Sequence, residues 1–166
     1  SLTVGGPATS NNAQIPEMIA FCRETNTPID FISTHHYPTD VVLGYGVEDS
    51  LNFADLMPRD KDDAGDTWEA ASKRFEVFNR ELWKRVERGV VTEMTRRAVK
   101  EAQGLPVYYT EWNSLAGLPS DGPFGASFIL KTVMDNMGLV KGYSYWTFSD
   151  IFEEGGMPGA AFHGGF

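Results

Sequence analysis

Leu105-Pro-Val-Tyr-Tyr-Thr-Glu-Trp-Asn113 reads as a buried β-strand that runs out in a single carboxylate. Val107, Tyr108 and Tyr109 suit a pleated, half-buried surface, and Gly104-Leu105-Pro106 supplies the turn ahead of them. Strict alternation puts Val107, Tyr109 and Glu111 on one face and Tyr108, Thr110 and Trp112 on the other. Burying an ionised Glu is costly unless partners compensate it. Taken alone, the stretch leaves two roles open for Glu111: a strand-end carboxylate facing solvent or an Arg, or a reacting group.

Working outward, three more segments read as strands: Leu2–Val4, which enters the turn Gly5-Gly-Pro-Ala-Thr9; Ile29–Tyr37, closed by Pro38; and Gly142–Phe148. A helix capped by Asn11 or Asn12 runs to about Glu24, with Ile15, Met18, Ile19 and Cys22 on one face. Trp68, Phe75, Phe78, Leu82 and Val86 recur at helical spacing, and Met94, Ala98 and Ala102 continue the stripe. One helix over 67–103 would be about 55 Å long, too long for a compact domain, so a break is expected near Gly89. A last helix spans roughly Phe124 to Met137 and ends at Gly138. The order β-α-β-α-β-α-β with nearly continuous apolar strands predicts an α/β fold with a parallel sheet and right-handed crossovers. Four such units are half of an eight-unit barrel.

Two loops invite functional readings that fail on spacing. Gly5-Gly-Pro-Ala lacks the glycine spacing and the Lys of a phosphate-binding loop. Asp60-x-Asp62 with Gly65 partly imitates a calcium loop, but Ala71 stands where a bidentate Glu is needed. A solvated loop, with Asp66 capping the next helix, fits better.

The 166 residues suffice for one domain, and 42% apolar with 13% aromatic content calls for a packed core. A net charge of −9 argues against nucleic acid and anionic membranes as partners. Cys22 is the only cysteine, which excludes a disulfide framework and a cysteine-based zinc site. No apolar run approaches the ~20 residues of a membrane span. No signal peptide is visible, which with the single Cys favours the cytoplasm. The chain enters a strand at once and stops at Phe162-His-Gly-Gly-Phe166, so both ends read as cut from a longer chain.

Polar and aromatic residues gather at the carboxyl ends of the strands: His35, His36 and Tyr37; Glu111, Trp112 and Asn113; Trp146, Asp150, Glu153 and Glu154. Parallel α/β proteins bind ligands along this edge. His35 and Tyr37 share a strand face and His36 points the other way, so the His pair is a poor chelate. Neither a metal nor a cofactor is expected. Carboxylates with Tyr, His and Trp suit a sugar, whose C–H faces stack on aromatic rings.

Val4-Gly-Gly-Pro-Ala-Thr-Ser10, Asp30-Phe-Ile-Ser-Thr-His-His-Tyr-Pro38, Tyr109-Thr-Glu-Trp-Asn113 and Tyr145-Trp-Thr-Phe-Ser-Asp-Ile-Phe-Glu-Glu154 together resemble the family 39 glycoside hydrolases, which include β-xylosidases and α-L-iduronidases. The resemblance implies a (β/α)8 TIM barrel, retention of anomeric configuration, and a place for this chain at strands five to eight. Residues 1–166 would then be the second half of a catalytic barrel, without the family's β-sandwich or the last barrel helix. It also implies roles: Glu111 as nucleophile, Tyr37 as its hydrogen-bond donor, His35 against sugar hydroxyls, Trp146 lining the sugar subsite, and Glu153 and Glu154 contacting the sugar. The family's general acid/base follows an Asn, and this chain has no Asn-Glu pair. The second carboxylate of a retaining pair, ~5–5.5 Å from the first, is expected outside it. The partners expected are a carbohydrate substrate and the missing N-terminal half of the barrel, or a second copy completing a pseudo-barrel.

The activity implied is hydrolysis of β-xylosides, as in xylan degradation, by double displacement. An iduronidase needs cations for the uronate, and the strand ends offer none obvious. The alternatives are an iduronidase-like or other exo-glycosidase of the family, a self-sufficient site using Asp150 or Glu154 as acid, a non-catalytic sugar-binding module, and a flavodoxin-like domain with no sugar affinity.

Overall fold

A computed structural model describes residues 2–43, 77, 80–114 and 123–146. Four strands form one sheet in the order β1 (Gly5–Thr9), β2 (Phe31–His36), β3 (Val107–Trp112) and β4 (Gly142–Tyr145). Every neighbouring pair is parallel. Helices α1 (Ile15–Glu24), α2 (Asp40–Leu43), α3 (Val90–Glu101) and α4 (Pro123–Asp135) lie between the strands in sequence, as the alternating pattern requires.

The core joins α1, α3 and the two central strands. Ile15, Ile19, Ile32, Ala98, Ala102 and Val107 form one buried cluster. The two alanines let the end of α3 approach the sheet closely, and the three isoleucines each remove a full branched side chain from water, worth ~1.5–3 kcal/mol apiece. On the opposite face Phe31 and Tyr108 meet edge to face at 5.3 Å, and Tyr108 stays partly exposed. α3 begins at Val90 behind Gly89, whose φ of 80° supplies the expected break; Met94, Ala98 and Ala102 beyond it are all buried.

Two boundaries differ from the sequence reading. The first strand is Gly5–Thr9 and not Leu2–Val4. Propensity disfavours glycine in a strand, but pairing with β2 decides here: a Cβ on Gly5 would sit 2.4 Å from the Phe31 ring. Val4 then ties to the entry of β2 through Asp30, whose Oδ2 accepts the Val4 N–H at 2.7 Å while the Asp30 N–H donates to the Val4 carbonyl at 2.7 Å. The first helix does not start on Asn11 or Asn12. These residues form a 3-10 turn over Ser10–Asn12, and α1 begins at Ile15 behind a left-handed Gln14 (φ 62°) with no side-chain cap. Pro16, in the first turn of α1, lacks an N–H that would have no partner there. The calcium-like segment and the Trp68–Phe78 stripe fall largely outside the described residues.

Candidate active site

The candidate carboxylate owes its direction to one extra residue in β3. Thr34 pairs with Tyr109, yet the next residue of β2, His35, pairs with Glu111. On the other side Tyr143 pairs with Tyr109 and Tyr145 with Trp112, so three steps of β3 match two of β4. Both neighbours therefore count one surplus residue between Tyr109 and Trp112, a β-bulge. Such a bulge turns the strand over and re-aims the side chains beyond it.

This overturns the alternation expected from the sequence. Glu111 does not share a face with Val107 and Tyr109, which are both 2% exposed. Trp112 takes that face instead, buried against Tyr143 at 5.3 Å and Phe128 at 5.9 Å, while Tyr109 stacks on Tyr143 at 5.8 Å. Glu111 comes out beside His35 on the opposite face, at the carboxyl end of the sheet.

Three predicted residues converge there. The Tyr37 hydroxyl donates to Glu111 Oε1 at 2.7 Å, and His35 Nδ1 lies 3.5 Å from Glu111 Oε2. Both side chains of the latter pair are about a quarter exposed, so a solute can reach them. Burial, then the bond and charge of Glu111, push the Tyr37 phenol far above its ordinary range. It remains protonated, and thus a donor, at any pH the protein meets.

Asp40 stands behind Tyr37 and was not singled out from the sequence. Its Oδ2 accepts the Tyr37 N–H at 3.1 Å, and the Asp40 N–H donates to the Tyr37 carbonyl at 3.0 Å. The Asn11 main-chain N–H also bonds the carboxylate. The signal was present as an Asp three residues after Tyr37, the spacing at which a side chain reaches back to cap a turn.

Asn113 joins the ends of β3 and β4. Its Nδ2 donates to the Trp146 carbonyl at 2.6 Å, and its Oδ1 accepts the Tyr145 hydroxyl at 2.7 Å and the Ser114 N–H at 2.5 Å. Trp146 sits one residue past β4, its N–H bonded to the Trp112 carbonyl and its surface 48% exposed. The edge thus carries His35, Tyr37, Glu111 and Trp146. Asp150, Glu153 and Glu154 lie outside the described residues.

His36 faces the other way, as expected, and is 2% exposed with its ring 5.8 Å from Tyr109. Neither ring nitrogen has a hydrogen-bond partner among the described residues. Burial lowers its pKa from 6.5 to about 3. Between those values the unfolded chain binds a proton that the folded chain refuses. Stability from this group is therefore complete above pH 6.5 and is lost as pH falls towards 3. His36→Phe is expected to flatten the pH dependence of stability across this window relative to the unsubstituted protein, on the order of a few kcal/mol between the extremes. Urea unfolding at pH 7 and pH 4 measures it; an unchanged difference between the two pH values would show that His36 is not the titrating group.

The glycosyl hydrolases family 39 model matches residues 1–81 and 66–166. The chain belongs to that family. A beta-xylosidase of Caldicellulosiruptor saccharolyticus is 42% identical over 170 residues, covering 99% of this chain and 28% of that protein. A beta-xylosidase of Geobacillus stearothermophilus is 28% identical over 174 residues, covering 99% and 29%. Among solved structures, the GH39 enzyme from Xanthomonas axonopodis pv. citri aligns with a TM-score of 0.63 at 30% identity, over 99% of this chain and 28% of that one. A monomeric beta-xylosidase from Caulobacter crescentus CB15 aligns with a TM-score of 0.64 at 29% identity, over 99% and 29%. This family 39 chain thus spans less than a third of the length of these relatives.

Proposed function

We propose that the chain forms strands five to eight of a (β/α)8 barrel in a retaining β-xylosidase, with Glu111 as the nucleophile. The observation that carries the reading is the Tyr37–Glu111 hydrogen bond at the carboxyl edge of a parallel sheet. Two relatives described as beta-xylosidases support the sugar class.

In this reading the substrate is a β-xyloside bound with its anomeric carbon over Glu111. Tyr37 holds Oε1, and Oε2, which His35 Nδ1 approaches to 3.5 Å, makes the attack. The carboxylate forms a bond to the anomeric carbon as the glycosidic C–O bond breaks through an oxocarbenium-like transition state. A general acid outside this chain protonates the departing oxygen. The same group then takes a proton from water, which attacks the anomeric carbon and releases Glu111 as a carboxylate. Two inversions give net retention. Tyr37 keeps its hydrogen bond throughout, to the carboxylate before attack and to the ester carbonyl after it. His35 contacts sugar hydroxyls and the Trp146 ring takes the C–H face of the pyranose. Glu153 and Glu154, which follow β4 in the sequence, also contact the sugar. The other half of the barrel is the partner that completes the site.

A 2-deoxy-2-fluoro-xyloside with an activated leaving group tests this in the full-length protein carrying the chain. The fluorine slows the second step, so a covalent adduct accumulates. Peptide mass spectrometry is expected to find it on Glu111; an adduct on another carboxylate would overturn the assignment. Tyr37→Phe removes a donor aimed at the reacting group and is expected to lower kcat about 100-fold. Turnover within a factor of two of the unsubstituted enzyme would remove the observation on which the reading rests.

A further inference from the structure

We infer that Asp40 is a positioning residue for the candidate nucleophile: its carboxylate holds the Tyr37 main chain against Asn11 and so sets where the Tyr37 hydroxyl meets Glu111. The inference rests on the reading of Glu111 as nucleophile and extends it to a residue that no sugar need touch.

The geometry is a closed junction. Tyr37 leaves β2 and turns back within three residues, its N–H and carbonyl both bonded to Asp40. From the other side comes the N–H of Asn11, in the 3-10 turn after β1. One carboxylate thereby joins the exits of two adjacent strands. An ordinary turn-capping Asp lies in water; Asp40 is only 6% exposed, with Pro38 and Thr39 buried beside it. A buried carboxylate is retained only where its bonds compensate the lost hydration, and here those bonds fix the residue that touches Glu111.

The state of the carboxyl then matters to the site. Burial raises its pKa to about 6, against the bonds from Tyr37 and Asn11, and the charge of Glu111 adds to the rise. The titratable groups facing this pair among the described residues are Glu111 from β3, Tyr145 from β4, and His35 at the end of β2 itself. Above that pH both amides bond an anion, and such bonds are shorter and roughly twice as strong as neutral ones. Below it the junction loosens while Tyr37 stays protonated. The site acquires an acid limb that belongs to neither reacting group.

The test compares Asp40→Asn, Tyr37→Phe and the double variant in the full-length protein. Asn is isosteric and keeps an acceptor but cannot ionise, so it imitates protonated Asp40 at every pH. Asp40→Asn is expected to show, across pH 5 to 8, the kcat that the unsubstituted enzyme has near pH 5. At pH 7 that is a loss of about tenfold, with KM moved less than about twofold. In the Tyr37→Phe background the same substitution should change kcat less than about twofold, because the hydroxyl it positions is gone. A purely structural role would lower the melting temperature but leave the pH limb in place and let the two losses multiply; either result overturns the inference. If Asp40→Asn does not fold, the pH profile of Tyr37→Phe decides: persistence of the limb near pH 6 overturns the inference and its disappearance supports it. The underlying reading fails separately, through retained activity in Glu111→Gln.

Discussion

Glu111→Gln in the full-length protein is expected to lower kcat/KM on xylosides by about 10⁴-fold or more, the scale on which removing a covalent catalyst acts. The amide has nearly the shape of the carboxylate and can still accept the Tyr37 bond seen at 2.7 Å, so the site keeps its form. What disappears is the anion that forms the ester. Substrate binding is expected to survive, which calorimetry with a xyloside would register as an affinity changed by less than about tenfold. A second variant separates chemistry from structure. Glu111→Gly leaves a gap on the face the nucleophile occupied, and azide can enter it. With an activated xyloside the product should be a xylosyl azide of inverted configuration, because a single displacement replaces two. Undiminished turnover in Glu111→Gln, or azide products of retained configuration in Glu111→Gly, would defeat the nucleophile assignment.

Insertion of one alanine between Thr110 and Glu111 is expected to be as damaging, for a different reason. Between Tyr109 and Trp112 β3 holds one residue more than both neighbouring strands. If the bulge keeps its size, the added alanine takes the place of Glu111 beside His35, and the carboxylate moves one step on, into the place Trp112 now holds against Tyr143 and Phe128. Two outcomes are open to such a chain. It can bury an uncompensated carboxylate among aromatic rings, which costs several kcal/mol. Alternatively the end of β3 can break away and expose Trp112, now 3% exposed, together with the Asn113 link to Trp146. Either consumes much of the ~5–15 kcal/mol that a domain has in hand. The expected result is loss of the cooperative thermal transition, or a melting temperature lowered by at least about 10 °C, with no measurable turnover. An insertion variant that melts and turns over normally would mean that the residue count between Tyr109 and Trp112 does not aim Glu111. Thr110→Ala keeps the residue count and should retain the fold, which separates the count from the side chain.

The parallel architecture was legible because it is written in two periods. Ile15, Ile19 and Cys22 recur as a helix must, and Met94, Ala98 and Ala102 do likewise; all six are buried. Gly89 marked the start of α3 through the left-handed backbone it adopts. The bounds of the first strand were misread because Gly5, Gly6 and Pro7 are poor strand residues by themselves and are recruited by pairing with Phe31, Ile32 and Ser33. The helix start was missed because the residue before Ile15 is a left-handed Gln, a conformation that side-chain identity does not announce. At the site, His35, Tyr37 and Glu111 were found through motifs in the strand ends, and the structure brings them together. The true facing of Glu111 was not readable, since alternation presumes one residue per step on every strand. Asp40 escaped for a related reason: a turn residue declares its partner only once the chain closes on it.

The bulge makes β3 a strand in two phases, and this bears on how such a site can change over generations. In an uninterrupted strand, packing and chemistry are locked in step, so an inserted or deleted residue disturbs both at once. Here Val107 and Tyr109 answer to the helices, while Glu111 answers to His35 and Tyr37 across a joint. Substitutions before the joint can be accepted or rejected on how well they fill the core, without rotating the carboxylate. Substitutions after it can be sampled for what they hold, without unsettling the base of the sheet. For anyone grafting this carboxylate into another parallel sheet, the transferable unit is accordingly Tyr109–Trp112 with its surplus residue, since a Glu kept two residues after Tyr109 in an unbulged strand would arrive facing the wrong way.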